Sequence, residues 1–371
     1  MQFLLTLFVG AAAGFLFLKG KIPGGMMVGA LVGAVILNIG TDLAYMPSTA
    51  RMTAQITAGA FIGATIKKSD VRHMPKLAKP AVILLSGMLV LNLVMGSVIH
   101  AVSGLDWMTS FFCAVPGGMS DVPIIAADMG ANGAAVALTQ FFRLVCGVGI
   151  FPSVIMLLTR NEVMVEHAPR EKEARAKATP LSVGVTVAVA AVCGIVGKLS
   201  GIPVGTLMFA MIGTATLNLI TNRAVVPLWL KRMAQVLSGT YIGSSIGAQE
   251  LLDLRFLLLP ALLLVVAYLV NCFWISWLLH RFCGMARREA MLAATPAGAS
   301  DMALISGDMG ISNPDLNVLQ IIRMVTVVLV FPQVIYFIVS LLRQDAYIES
   351  PLPAVLCAGR GPLFVIAATA I

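Results

Sequence analysis

Two hexapeptides place a carboxylate where a lipid-facing helix should carry none: Pro116-Gly117-Gly118-Met119-Ser120-Asp121 and Pro296-Ala297-Gly298-Ala299-Ser300-Asp301. Proline removes a backbone donor and clashes with the preceding turn. Glycine then permits dihedrals that a helix does not use. Each motif therefore predicts a helix broken inside an apolar segment. A new half-helix would begin near Met119 or Ser120, with Ser120 as its N-cap. Its free N–H groups would favour an anion. Pro116, Gly117, Gly118 and Ser120, with Pro296, Gly298 and Ser300, are thus candidate substrate-binding positions.

An ionised aspartate at the centre of a membrane helix costs ~2.5–3.5 kcal/mol. Asp121 and Asp301 must therefore be paired, wet or protonated. They are candidates for handling a coupling cation, H⁺ or Na⁺; a structural pair with a nearby arginine is the other reading. Asp128 and Asp308 lie two turns further along, before Gly130 and Gly310. They join the ion-coupling candidates, although exposed helix ends would also suit them. Gln140 with Arg143, and Gln320 with Arg323, share one helix face at i and i+3. Each arginine precedes a long apolar stretch, so it must point into the protein. It would either pair with Asp121 or Asp128 of its own repeat, or contact an anionic substrate with the glutamine. Asn38, Asn218, His100 and His280 close apolar segments and read as helix-end groups.

The elements that position these residues are apolar throughout. The 371 residues are 59% hydrophobic and 11% charged, with a mean hydropathy of +0.94. Runs near membrane-spanning length recur along the chain, so it predicts a polytopic membrane protein. The net charge of +8 is then a property of loops rather than a sign of nucleic-acid binding. Met1-Gln2-Phe3-Leu4-Leu5 lacks the basic start of a signal peptide and reads as the beginning of the first membrane helix. The six cysteines show no metal or disulfide spacing.

The chain is duplicated at an offset of 180. Ile22-Pro23 matches Ile202-Pro203, Asn38 matches Asn218, Gln55 matches Gln235, Gly59 and Gly63 match Gly239 and Gly243, and His100 matches His280. Of the 40 positions from Pro116 to Ile155, 16 are identical to those 180 residues later. This divides the chain into a membrane repeat at 1–158, a polar linker at 159–180, a second repeat at 181–345 and a tail at 346–371. Loop charges reverse between copies. Residues 67–79 hold Lys67, Lys68, Arg72, Lys76 and Lys79, whereas 247–259 hold Glu250, Asp253 and Arg255. Residues 101–106 hold no Lys or Arg, whereas 281–288 hold Arg281, Arg287 and Arg288. Positive-inside bias then orients the copies oppositely. Inversion needs an odd number of crossings, and six apolar segments are present per repeat. One segment must fail to cross: either the Pro-Gly-Gly segment re-enters as a hairpin, or it crosses and a shorter neighbour lies at the interface.

Across residues 1–345 the chain resembles the bacterial AbrB membrane family. The Pro-Gly-Gly break, Asp128-Met129-Gly130, Gln140-x-x-Arg143 and Ile22-Pro23-Gly24-Gly25 carry the resemblance; Ala297 departs from it where the first copy has Gly117. The resemblance implies kinship with inverted-repeat transporters such as bile-acid/sodium symporters and sodium/proton antiporters, whose discontinuous helices cross at the site. The family also carries labels such as regulator of gene expression and ammonia monooxygenase. The histidines 73, 100, 167 and 280 do not cluster as an oxygenase metal site needs, and no DNA-binding motif is visible.

The expectation is an all-α polytopic membrane protein of two inverted repeats with discontinuous helices, about ten to twelve in all. It would act as a secondary transporter for a small anionic solute across the inner membrane, driven by H⁺ or Na⁺. A membrane-embedded regulator that binds a ligand without moving it is the alternative. No enzyme activity, cofactor, metal or nucleic-acid partner is expected; a homodimer is left open.

Overall fold

The computed structural model describes residues 2–20, 24–119, 121–149, 151–158, 179–248, 257–295 and 314–349. Among them there is helix and no strand. The first copy contains α1 (Gln2–Lys19), α2 (Gly25–Thr41), α3 (Ser48–Thr65), α4 (Lys68–Ser103), α5 (Trp107–Cys113), α6 (Val122–Asp128), α7 (Gly133–Gly149) and α8 (Phe151–Leu158). The second contains α9 (Pro180–Leu199), α10 (Gly205–Thr221), α11 (Leu228–Gly243), α12 (Leu258–Cys283), α13 (Arg287–Ala294), α14 (Pro314–Leu329) and α15 (Phe331–Glu349). Among the described residues, five stretches are long and apolar enough to cross a membrane: α1, α4, α9, α12 and the span Val318–Leu342. That last span joins α14 and α15 through Val330, whose N–H bonds Thr326 and whose carbonyl takes the Val334 N–H. The Phe331-Pro332 step removes one helical donor there, which bends rather than ends the helix.

The helices form two groups. One contains α1–α3 with α9–α11; the other contains α4–α8 with α12–α15. In the first group, α3 packs on α10 and α2 on α11. A Cβ at Gly59 or Gly63 would meet the carbonyls of Leu207 and Met211, and one at Gly239 or Gly243 those of Met27 and Leu31. These are glycine seams of the kind that let membrane helices approach backbone to backbone. The amide of Asn38 donates to the Ile246 carbonyl at 3.0 Å, and that of Asn218 to Ile66 at 2.9 Å and Ala64 at 3.1 Å. Thr6 accepts from the Tyr45 N–H and Thr186 from the Val225 N–H. Each contact has its twin 180 residues away.

Equivalent helices of the two copies also touch each other, and they do so antiparallel. On α3 and α11, the Arg51 guanidinium lies 5.4 Å from the Tyr241 ring centre and the Lys231 ammonium 4.1 Å from that of Phe61. On α4 and α12, Gly87 faces Ile275 and Lys79 lies within electrostatic range of Cys283. Helix α4 has 36 residues, ~54 Å at 1.5 Å per residue, against a ~30 Å hydrocarbon core. Its N-terminal overhang exposes Lys68, Arg72, Lys76 and Lys79. Gly104 at φ 68 and Gly284 at φ 68 close α4 and α12. His100 and His280 each turn Nδ1 onto the loop carbonyls of Leu105 and Met285.

Candidate functional site: an interrupted hairpin and its arginine clamps

The predicted break is present in the first copy, and it turns the chain back. The Asp106 side chain caps α5 by accepting the Thr109 N–H at 3.0 Å. Helix α5 ends at Cys113, and α6 begins only at Val122. After α6 the Asn132 N–H donates to the Thr109 hydroxyl at 2.9 Å. The start of α5 therefore meets the end of α6, as the hairpin alternative expects.

The tip is held by α7. Gln140 Nε2 donates to the carbonyls of Val115 at 3.0 Å and Phe112 at 3.4 Å. Arg143 donates to Val115 at 2.8 Å and to Gly117. These acceptors have lost their i+4 helical donors where α5 stops, although Phe112 still takes the Val115 N–H at 3.3 Å and Val115 the Gly117 N–H at 2.9 Å; a cation at a helix C-terminus is favoured by its dipole. The second copy repeats the clamp. Gln320 donates to Leu292 at 3.1 Å, and Arg323 to Ala293 at 3.3 Å and Thr295 at 2.5 Å. Both arginines are 3% exposed, and each lies within electrostatic range of the other. The two clamps are thus neighbours in the interior. The Tyr268 hydroxyl adds a donor to the Ala114 carbonyl at 2.7 Å. The expected partners Asp121 and Asp128 are not what the clamp holds; backbone carbonyls are.

Gly117 and Gly118 are there for space. Neither has positive φ. A Cβ at Gly117 would run into Val122, and one at Gly118 would come within 2.6 Å of the Asp121 carboxylate. Asp121 takes the N-cap position of α6 with no capping bond and is half-buried. Among the described residues no hydrogen bond or ion pair engages its carboxylate, and the charge acting on it is that of Lys231. Helix α6 spans seven residues, under two turns, so the dipole expected at its start is a small one. Ser120, Pro296, Gly298, Ser300, Asp301 and Asp308 lie outside the described residues.

Asp128 pairs with Arg51 of α3 at 3.1 Å, and Arg51 also donates to the Ala127 carbonyl at 3.3 Å. This joins the foot of the hairpin to the first helix group. Arg51 is not among the predicted site residues. The available signal was its alignment with Lys231, a cation retained in both copies beside an apolar segment. Tyr268 had no such signal, since Met88 occupies its equivalent position. Next to the hairpin foot a cleft of about 430 Å³ is lined by Asp106, Asn132, Tyr241 and Ser245 among others.

The family model described as "Transition state regulatory protein AbrB" matches residues 1–109 and 44–339. The "Putative regulator AbrB" of Escherichia coli (strain K12) is 26% identical over 329 residues, covering 87% of this chain and 92% of that protein. The "Uncharacterized protein YhjN" of Bacillus subtilis (strain 168) is 24% identical over 345 residues, covering 87% and 90%. Taken with the duplicated helical fold and its paired Gln-x-x-Arg clamps, the family match shows that this chain belongs to the AbrB family.

Proposed function

We propose that the protein is a secondary transporter of a small anionic solute, coupled to H⁺ or Na⁺ and spanning the inner membrane with its two copies inverted. The observation that carries this reading is the hairpin tip with its half-buried Asp121, whose carboxylate no described residue hydrogen-bonds or pairs. Non-helical backbone at membrane depth is tolerated where it is buried in protein or lines a wet cavity. An ionisable group there is by default functional. The antiparallel packing of α3 on α11 and of α4 on α12 supports inversion, because it needs a two-fold axis perpendicular to the helices. The neighbourhood of Lys79 and Cys283 supports the charge argument too, bringing both basic loops to one face. The cations Arg51 and Lys231, on the face of the first group that meets the hairpin, favour an anion.

The test is flux in proteoliposomes against a panel of organic anions, with imposed pH and Na⁺ gradients. Wild type should carry at least one anion. Asp121→Asn should lose the gradient dependence while keeping its fold. Absence of flux above protein-free vesicles for every anion would sink the reading. The printed name of the Escherichia coli relative favours a second one, a ligand-binding membrane regulator. Ligand binding without flux would select it.

A further inference from the structure

The geometry points to a binding site for a small monocarboxylate in a second cleft, where the ligand displaces Asp128 from Arg51 and so frees the foot of the hairpin. The cleft measures about 270 Å³ and lies between α3, the end of α6 and the turn from α9 to α10. At ~30 Å³ per water it has room for about nine waters, the size of a small solute. Gln55 lines it, is 2% exposed, and its Nε2 has no hydrogen-bond partner. A buried amide donor left unmade is costly, and a ligand oxygen is what would satisfy it. One helical turn before it stands Arg51, whose planar fork already holds a carboxylate, that of Asp128 at 3.1 Å. Lys198 stands opposite with Nζ 3.6 Å from the Met52 sulfur; among the described residues no carboxylate pairs with it. Two cations against one aspartate leave a single positive charge, which matches a monoanion better than a multiply charged phosphate.

The wall opposite Arg51 is strained. Val204 is 1% exposed and sits at φ 61, a left-handed conformation that its equivalent Gly24 adopts at φ 65. A β-branched residue there is an outlier of the kind found at ligand clamps. Arg51 bridges the first helix group to the hairpin through Asp128 and the Ala127 carbonyl. A soluble carboxylate taking the Arg51 fork would leave the hairpin foot with the weaker of these two bonds. The proposal deepens the transport reading by naming the ligand class and the contact it breaks.

The experiment is equilibrium binding of acetate, lactate and benzoate to the full-length protein in nanodiscs, at ionic strength fixed with sodium chloride and with choline as the cationic control. Wild type should bind at least one carboxylate saturably and choline not at all. Arg51→Gln and Gln55→Leu should each weaken binding about tenfold, the scale of one charge-assisted or buried hydrogen bond. Asp128→Asn should tighten it severalfold, because the internal competitor is gone; a merely structural ion pair would not do this. If Arg51→Gln does not fold, Asp128→Asn and Lys198→Gln decide. Non-saturable binding, equal choline binding, wild-type affinity in Arg51→Gln, or weakening in Asp128→Asn would each overturn the site. Carboxylate binding without flux would leave the site standing and remove transport. Flux with binding indifferent to Arg51, Gln55 and Asp128 would do the reverse.

Discussion

Between the copies, α3 meets α10 and α2 meets α11 by the removal of side chains; within each copy, α7 meets the hairpin tip and α14 the end of α13 by the addition of them. Both regions bring polar backbone together in an apolar setting, where an unmet carbonyl is costly. In the seams the helices keep their own hydrogen bonds, so all that is needed is closeness, and glycine supplies it. In the hairpin the helix has ended, and its last carbonyls keep only short-range backbone donors, such as the Val115 N–H on Phe112 and the Gly117 N–H on Val115. Closeness does not complete them, and further donors come from Gln140 and Arg143 or from Gln320 and Arg323. The difference teaches that the seams depend on an absence and the clamps on a presence. They should therefore fail differently.

The largest failure should come from the seams. Gly59→Leu or Gly239→Leu places a side chain against a carbonyl and should cost ~3 kcal/mol or more, read as loss of the monodisperse peak in detergent. A stable Gly59→Leu protein would break the contrast. The clamps should fail locally. Arg143→Leu leaves the Val115 and Gly117 carbonyls without this donor and should cost ~2 kcal/mol, with hydrogen exchange rising around 112–119 and the seams protected. Arg143→Lys should recover part of this, since an ammonium restores charge but not the fork. Smaller still are the Asn caps. Asn38→Ala should cost ~1 kcal/mol and Asn218→Ala more, because the Asn218 amide makes three bonds against one for Asn38, read in thermal melts. The smallest effect on stability belongs to Asp121→Asn, within ~0.5 kcal/mol, because no partner is lost. A large destabilisation would mean that Asp121 is held by something and is structural.

Apolar length and the 180-residue offset determined most of the architecture, because hydrophobic spans and internal repeats are local properties of a chain. The break at Pro116 was likewise legible, since proline acts within one turn. The reversed loop charges pointed to oppositely facing copies, an orientation that stays a proposal. What the sequence left open was decided by contacts between residues far apart in number. Whether the broken segment crosses or returns rests on a bond from Asn132 to Thr109. Whether Arg143 holds an acid or a carbonyl depends on where α5 stops relative to α7. Arg51, unmarked in the sequence, became part of the site only when Asp128 met it. A buried charge announces that it needs a partner, but electrostatics accepts a carboxylate or a set of open carbonyls alike. Only the folded arrangement chooses between them.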